Sequence, residues 1–216
     1  MITLVQKVIE FGGKLKTTTI ARYNRLELIV IKKIPLFIFL LPFFSPLPSS
    51  AGEIGGVTLP DSLKVGETTL ALNGMGLRKK LFIKVYAGGL YLEDKAADAA
   101  AIIEADATMA VRMHFIYDGV SSSKLIEAWN EGFKKNTQDR ESIQDQIDTF
   151  NGFFGQEANQ GDVYDLIYTK GAGLEVLLNG ESKGTVGDLN FKRAVFAIWL
   201  GKVPADEKLK KGMLGK

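Results

Sequence analysis

The apolar residues change their spacing twice along the chain, and this switch limits the fold more than any other feature. Thr108 to Tyr117 places Val111, Met113, Phe115 and Tyr117 on one parity and Arg112, His114 and Ile116 on the other. That period of two is the mark of a half-buried antiparallel strand. Two earlier segments, Glu67–Leu72 leading through Asn73-Gly74 to Arg78–Glu93, read as strands as well. The spacing then becomes helical. Leu125, Trp129 and Phe133 recur every fourth residue behind Ser121-Ser122-Ser123, and Ile143, Ile147, Phe150 and Phe154 follow at helical spacing behind Asp139. Lys134, Lys135, Glu141, Asp145 and Asp148 form the solvated sides of these two helices. After Gly161 the period returns to two in "DVYDLIYTKGAGLEVLLNGESKGTVGD", where Asn179-Gly180 lies between alternating apolar residues. This pair is the residue choice of a type I′ hairpin turn, which needs positive φ at both central positions. Asp188 then caps a last helix with the stripe Phe191, Ala194, Val195, Ile198 and Trp199, ending at Gly201. Strands, two helices, a meander and a final helix describe an α+β domain, an antiparallel β-sheet with helices packed on one face. No internal repeat is visible.

The chain has 216 residues, enough for one domain and an extension. Residues 1–51 have the layout of a secretory signal peptide. "IPLFIFLLPFF", Ile34 to Phe44, is uncharged, follows Lys32-Lys33, and leads to Ser49 and Ala51 as a small-residue cleavage site. A membrane span needs roughly 20 apolar residues. This run has 11 and carries Pro35 and Pro42, so an uncleaved anchor is the weaker reading. The expected mature domain is 52–216, secreted and periplasmic, with no stable membrane span after cleavage. The leader holds seven Lys/Arg and two Asp/Glu, so the mature chain keeps 20 cationic and 23 anionic side chains and a net charge of −3. Nothing in that balance suggests a nucleic-acid footprint.

There is no cysteine and a single histidine, His114, on the more polar parity of its strand. Thiol chemistry and cysteine-type zinc sites are thereby excluded, and a serine–histidine triad or a multi-histidine metal site is disfavoured. Phosphate-loop, dinucleotide, EF-hand and nucleophile-elbow motifs are lacking too, so no cofactor and no metal is expected.

The stretch "GMGLRKKLFIKVYAGGLYLE", Gly74 to Glu93, poses the functional question. It alternates Arg78, Lys80, Lys84 and Tyr86 with Leu81, Ile83 and Val85, so its charged face either meets water or lines a pocket that receives an anion. Taken as one strand, Arg78 and Tyr86 share a parity and project to one face. Gly88 and Gly89 could admit a ligand to the backbone, although a bulge or a packed helix explains them equally well.

"LNGMGLRKKLFIKVYAGGLYLE" (Leu72–Glu93) and "LNFKRAVFAIWLGKVPADEKLKKGMLG" (Leu189–Gly215), with "GLEVLLNGESKG" before the latter, together resemble the chalcone isomerase-like family, in particular its bacterial secreted branch. The resemblance spans nearly all of the mature chain and implies the open-faced β-sandwich of that family. Its enzymes cyclise a chalcone to a flavanone without a cofactor. They use an arginine from a glycine-rich turn, a strand threonine, a tyrosine and an asparagine around the first central helix, and a hydroxyl residue in the last helix. Carried over, the arginine falls on Arg78 behind Gly74 and Gly76, and the threonine on Tyr86. The last-helix hydroxyl falls on Ile198, and the tyrosine and asparagine fall near Ser122 and Trp129. The segment after Arg78 is also about four residues shorter than in the enzymes, which shortens the hairpin.

Losing one donor to a developing oxyanion typically costs about 3–4 kcal/mol. Ile198 cannot donate, so little isomerase chemistry is expected, with Arg78 the sole catalytic candidate. The resemblance also covers non-catalytic members that hold fatty acids in this cleft, and Arg78 with Tyr86 looks like their carboxylate clamp. A guanidinium offers a fork that matches a carboxylate, and a phenol adds a further donor. The leading expectation is therefore a non-catalytic binder of a fatty acid or similar apolar carboxylate, with Arg78 and Tyr86 as ligand-binding residues. A cofactor-independent isomerase of the intramolecular-lyase type is the alternative, and a purely structural interaction module is the third.

Overall fold

The structure, a computed structural model, describes residues 4–11, 14–21 and 52–216. It divides into two compact units, Met1–Ser45 and Pro46–Lys216. In the first, β1 (Leu4–Phe11) pairs antiparallel with β2 (Lys14–Ala21), with Leu4 opposite Ala21. The apolar run Ile34–Phe44 and the cleavage site at Ala51 lie outside the described residues.

The second unit opens with a short hairpin, β3 (Gly52–Ile54) and β4 (Val57–Leu59). Then come β5 (Ser62–Val65), β6 (Thr68–Lys80) and β7 (Ile83–Leu92). A short helix α1 (Ala99–Glu104) precedes β8 (Met109–Phe115). The helices α2 (Ser122–Asn136) and α3 (Gln144–Gly152) follow, the latter led in by a 3-10 turn at Glu141–Ile143. The meander β9 (Val163–Thr169), β10 (Gly173–Leu178) and β11 (Glu181–Val186) leads to α4 (Leu189–Leu200) and α5 (Glu207–Met213). β5 to β11 form one antiparallel sheet of seven strands in sequence order.

One face of that sheet carries the main core. Leu90, Val111, Met113, Phe115, Tyr164, Leu166 and Val176 meet Trp129, Phe133, Phe150, Phe191 and Trp199 of the helices. The expected α+β layering is what the chain adopts. α2 starts where the serines suggested, with Ser121 Oγ accepting from Lys124 N, and Asp188 caps α4 by accepting from Asn190 N and Phe191 N. α4 is buried almost all round rather than along one stripe, as befits a helix enclosed by the sheet, α1, α2 and α5. The Asn179-Gly180 turn is confirmed, with φ of 53° and 82°.

Two readings need correction. Asn73-Gly74 does not separate two strands. β6 runs straight through it with a bulge, and Asn73 stitches the strand to its surroundings, donating to Ala96 O and Met213 O and accepting from Ala96 N. Conversely, the stretch from Arg78 onward is not one strand. It folds back at Leu81-Phe82, so Arg78 closes β6 while Tyr86 belongs to β7.

Candidate functional site

Arg78 and Tyr86 do reach the same place, by a different route from strand parity. They are directly opposed partners in the β6–β7 ladder, so both project to the helix-covered face of the sheet. There they border a cavity of about 460 Å³ between the ends of β6, β7 and β8, the helix α2 and the loop after α4. That volume lies within the range of small-molecule sites, roughly 300–1,000 Å³. Met113, Phe115, Leu125, Trp129 and Ile198 make the interior apolar, while Arg78, Lys80, Lys124, Glu131 and Lys135 are its charged members.

Tyr86 is buried and stands 5.6 Å from the Phe115 ring, centre to centre. Its hydroxyl oxygen accepts from the Trp199 indole N–H at 3.0 Å, which leaves the phenolic proton free to donate to a ligand. Burial raises the phenol's pKa above its usual value, against the opposing pull of the Trp199 hydrogen bond and of Arg78 nearby. Tyr86 therefore stays protonated at neutral pH and acts as a donor.

Arg78 donates through one terminal nitrogen to the Lys79 carbonyl at 2.6 Å, and the same nitrogen lies 3.8 Å from Asp206 Oδ2. Asp206 is the organising acid that the sequence did not reveal. Its Oδ1 caps α5 by accepting from Lys208 N and Leu209 N, and its Oδ2 accepts from Lys79 N. One carboxylate thus ties the C-terminal helix to the end of β6 and fixes the backbone that carries Arg78. The other nitrogens of Arg78 have no partner among the described residues and remain for an anion.

Trp129 adds a second unforeseen feature. It packs edge-on against Trp199 at 5.4 Å and close to Phe154 at 5.0 Å, and its buried indole N–H has no acceptor among the described residues. A buried donor without a partner is rare. The helical period marked Trp129 as core, but nothing in it could show that the indole would border a cavity with its N–H unspent.

The remaining isomerase positions do not assemble a donor set. Ile198 lines the cavity with an aliphatic side chain, and Ser122 spends its hydroxyl on Phe154 O at 2.6 Å. The glycines serve packing. A Cβ on Gly88 would sit 2.9 Å from both Leu209 and Met213 of α5, and one on Gly89 would sit 2.9 Å from Leu59 on the other face. They leave no opening for a ligand at the backbone. His114 is on the face away from the cavity, as its parity indicated, where burial and the neighbouring Arg112 lower its pKa. Arg112 is itself committed to a two-pronged ion pair with Asp165, its cross-strand partner, at 2.7 and 2.8 Å. No cluster of metal-ligating side chains occurs among the described residues.

A family model described as chalcone isomerase-like matches residues 51–215. The chain belongs to the chalcone isomerase-like family. A curated relative, fatty-acid-binding protein 1 of Arabidopsis thaliana, is 25% identical over 215 residues, covering 79% of this chain and 76% of the relative. The crystal structure of an Arabidopsis thaliana fatty-acid-binding protein superposes with a TM-score of 0.61 at 22% identity, over 74% of this chain and 92% of that one. This likeness places the seven-stranded sheet and its helices in the chalcone isomerase-like fold.

Proposed function

We propose that the domain is a non-catalytic carrier that holds a fatty acid or similar apolar carboxylate in the cavity between sheet and α2, with Arg78 and Tyr86 receiving the carboxylate. The observation that carries this is the ladder pairing of Arg78 with Tyr86 at a cavity whose interior is apolar. The relative named for fatty-acid binding supports the same ligand class. The apolar interior suits an acyl chain, and each head-group donor is held in place, Arg78 by Asp206 and Lys79, Tyr86 by Trp199. An isomerase reading loses ground to Ile198 and Ser122, which supply no donor to the cavity.

Affinity for dodecanoate and for dodecanol tests this. Charge-assisted hydrogen bonds are typically worth about 1.5–3 kcal/mol. Arg78→Ala is therefore expected to weaken dodecanoate at least tenfold and leave dodecanol nearly unchanged. Lys80→Ala removes an exposed charge and costs about 0–1 kcal/mol, and Tyr86→Phe falls between the two. Equal binding of acid and alcohol by the unaltered protein, or chalcone cyclisation abolished by Arg78→Ala, would replace this reading.

Secretion belongs to the same proposal. It is supported by the apolar run before Ser49 and Ala51 and by a family match that begins at residue 51. N-terminal sequencing of protein from the producing cell should find Gly52 first; an intact 23.7 kDa chain would contradict it.

A further inference from the structure

The tip of the β6–β7 hairpin is costly to the fold in three ways at once. Leu81 and Phe82, at its apex, are 88% and 99% exposed. Leu81 also has a φ of 58°, a left-handed conformation that a leucine side chain disfavours. Lys79 and Lys84 are directly opposed cross-strand partners, and like charges facing each other weaken a ladder. The other two-residue hairpins of this sheet show what local stability alone selects, since β5 and β6 are joined through Gly66, at a φ of 57°, and β10 and β11 by Asn179-Gly180. Neither turn chemistry nor packing accounts for Leu-Phe between lysines.

The tip is also not isolated. Among the described residues, the large exposed hydrophobic side chains are Leu81, Phe82, Ile83, Tyr117 and Val203, and all but Phe82 border the cavity. The apolar surface is therefore gathered at the cavity mouth. Around it Lys79, Lys80 and Lys84 have no ion-pair partner among the described residues, whereas the acids of this rim are engaged, Glu131 with Lys135 and Asp206 with Arg78.

We propose that this hairpin tip docks on the surface of an anionic bilayer, with Leu81 and Phe82 entering the interface and Lys79, Lys80 and Lys84 meeting the head groups. An apolar apex bordered by unpaired cations matches the two layers of such a surface, hydrocarbon beneath negative head groups. The contact is interfacial and not a span, and no described helix is long and apolar enough to cross a membrane. If the cavity holds a fatty acid, docking sets its mouth against the membrane. That consequence rests on the proposed function, but docking itself does not.

The full chain also carries the apolar run Ile34–Phe44, so the readout must be local to the tip. Phe82→Trp places an indole at the apex, and Ala172→Trp places one in the β9–β10 turn at the opposite end of the sheet. Fluorescence, taken as the difference from the parent protein with its Trp129 and Trp199, is followed with vesicles of brominated phosphatidylcholine and phosphatidylglycerol at three to one, and with brominated phosphatidylcholine alone. The expected result is strong quenching of Trp at position 82 on the anionic vesicles, little at 172, and loss of the effect in 0.5 M salt. Adding Lys79→Glu and Lys84→Glu should raise the lipid concentration needed for half-maximal quenching at position 82 at least tenfold, while circular dichroism verifies the fold. Equal quenching at both positions, none at 82, or quenching indifferent to charge reversal would each overturn the proposal. So would a dimer in sedimentation velocity that Phe82→Asp abolishes without any vesicle effect, which would assign the tip to a second copy. Dodecanoate affinity measured without vesicles reports on the cavity alone, so failure of docking and failure of the carrier reading are distinguishable.

Discussion

Lys192 is the residue whose placement sequence periodicity would least suggest. It lies in α4 with no exposed surface, and its ammonium donates to the carbonyls of Ile102, Ile103 and Ala105 at 3.0, 2.9 and 2.6 Å. These are the acceptors that the C-terminal end of α1 leaves unsatisfied, so one side chain from α4 closes that helix. The Tyr168 and Phe196 rings lie 5.7 and 5.4 Å from the nitrogen and shield it from water. Lys192→Met keeps the length and the apolar stem but strands three carbonyls. It should lower stability by about 1.5–3 kcal/mol, the range for a hydrogen bond to a charged group, as read from the urea midpoint. A shift below about 0.5 kcal/mol would mean that water replaces the ammonium at no cost. Because Lys192 is remote from the cavity, dodecanoate affinity should not change.

At the scale of elements, the glycines before Arg78 explain how α5 reaches the site. A Cβ on Gly76 would lie 2.9 Å from Leu209 Cα, and one on Gly74 would collide with the Gly212 carbonyl. The helix lies directly on the strand backbone and brings Asp206 to Lys79 and Arg78. Gly76→Val must displace a helix rather than a flexible side chain, so a loss of about 3 kcal/mol is expected, together with weaker dodecanoate binding as Asp206 moves away. Gly180→Val meets no neighbour and suffers only its φ of 82°, so about 1–2 kcal/mol is expected with binding intact. Equal effects on binding would refute the link between α5 and the site. This contrast also shows what the sequence made legible. Asn179-Gly180, the α2 period and the Asp188 cap follow from local chemistry and were readable. The Leu81-Phe82 turn was not, because neither residue is a turn former, and the cationic stretch therefore read as one strand. α5 escaped notice because its apolar contacts reduce to Leu209 and Met213 among lysines. Arg78 and Tyr86 were singled out by resemblance, whereas the parity argument put them together for the wrong reason, since they lie on two strands. Asp206 and the unspent Trp129 N–H depend on contacts between elements distant in sequence, which no local pattern records.

For the whole molecule, the titration of buried groups fixes how stability depends on alkaline pH. Burial pushes the Lys192 ammonium down to about 8, below its ordinary 10.5. The unfolded chain therefore binds the extra proton between those values, and this group's contribution to stability rises with pH across that window. The tyrosines act in the opposite sense. Burial raises Tyr164 and Tyr168 to about 12, and raises Tyr86 and Tyr91 as well, all from an ordinary value of 10.0. Between 10 and 12 the folded chain retains protons that the unfolded chain has released, so the tyrosine contribution is full below pH 10 and is lost above it. Stability measured by urea unfolding should accordingly hold or rise slightly from pH 8 to about 9.5 and then fall steeply. Lys192→Met separates the two causes, since it should abolish the rise and leave the fall in place. A variant that kept the rise would show that another group carries it. A parent protein without the fall above pH 10 would show that the buried phenols reach water, Tyr86 at the cavity among them.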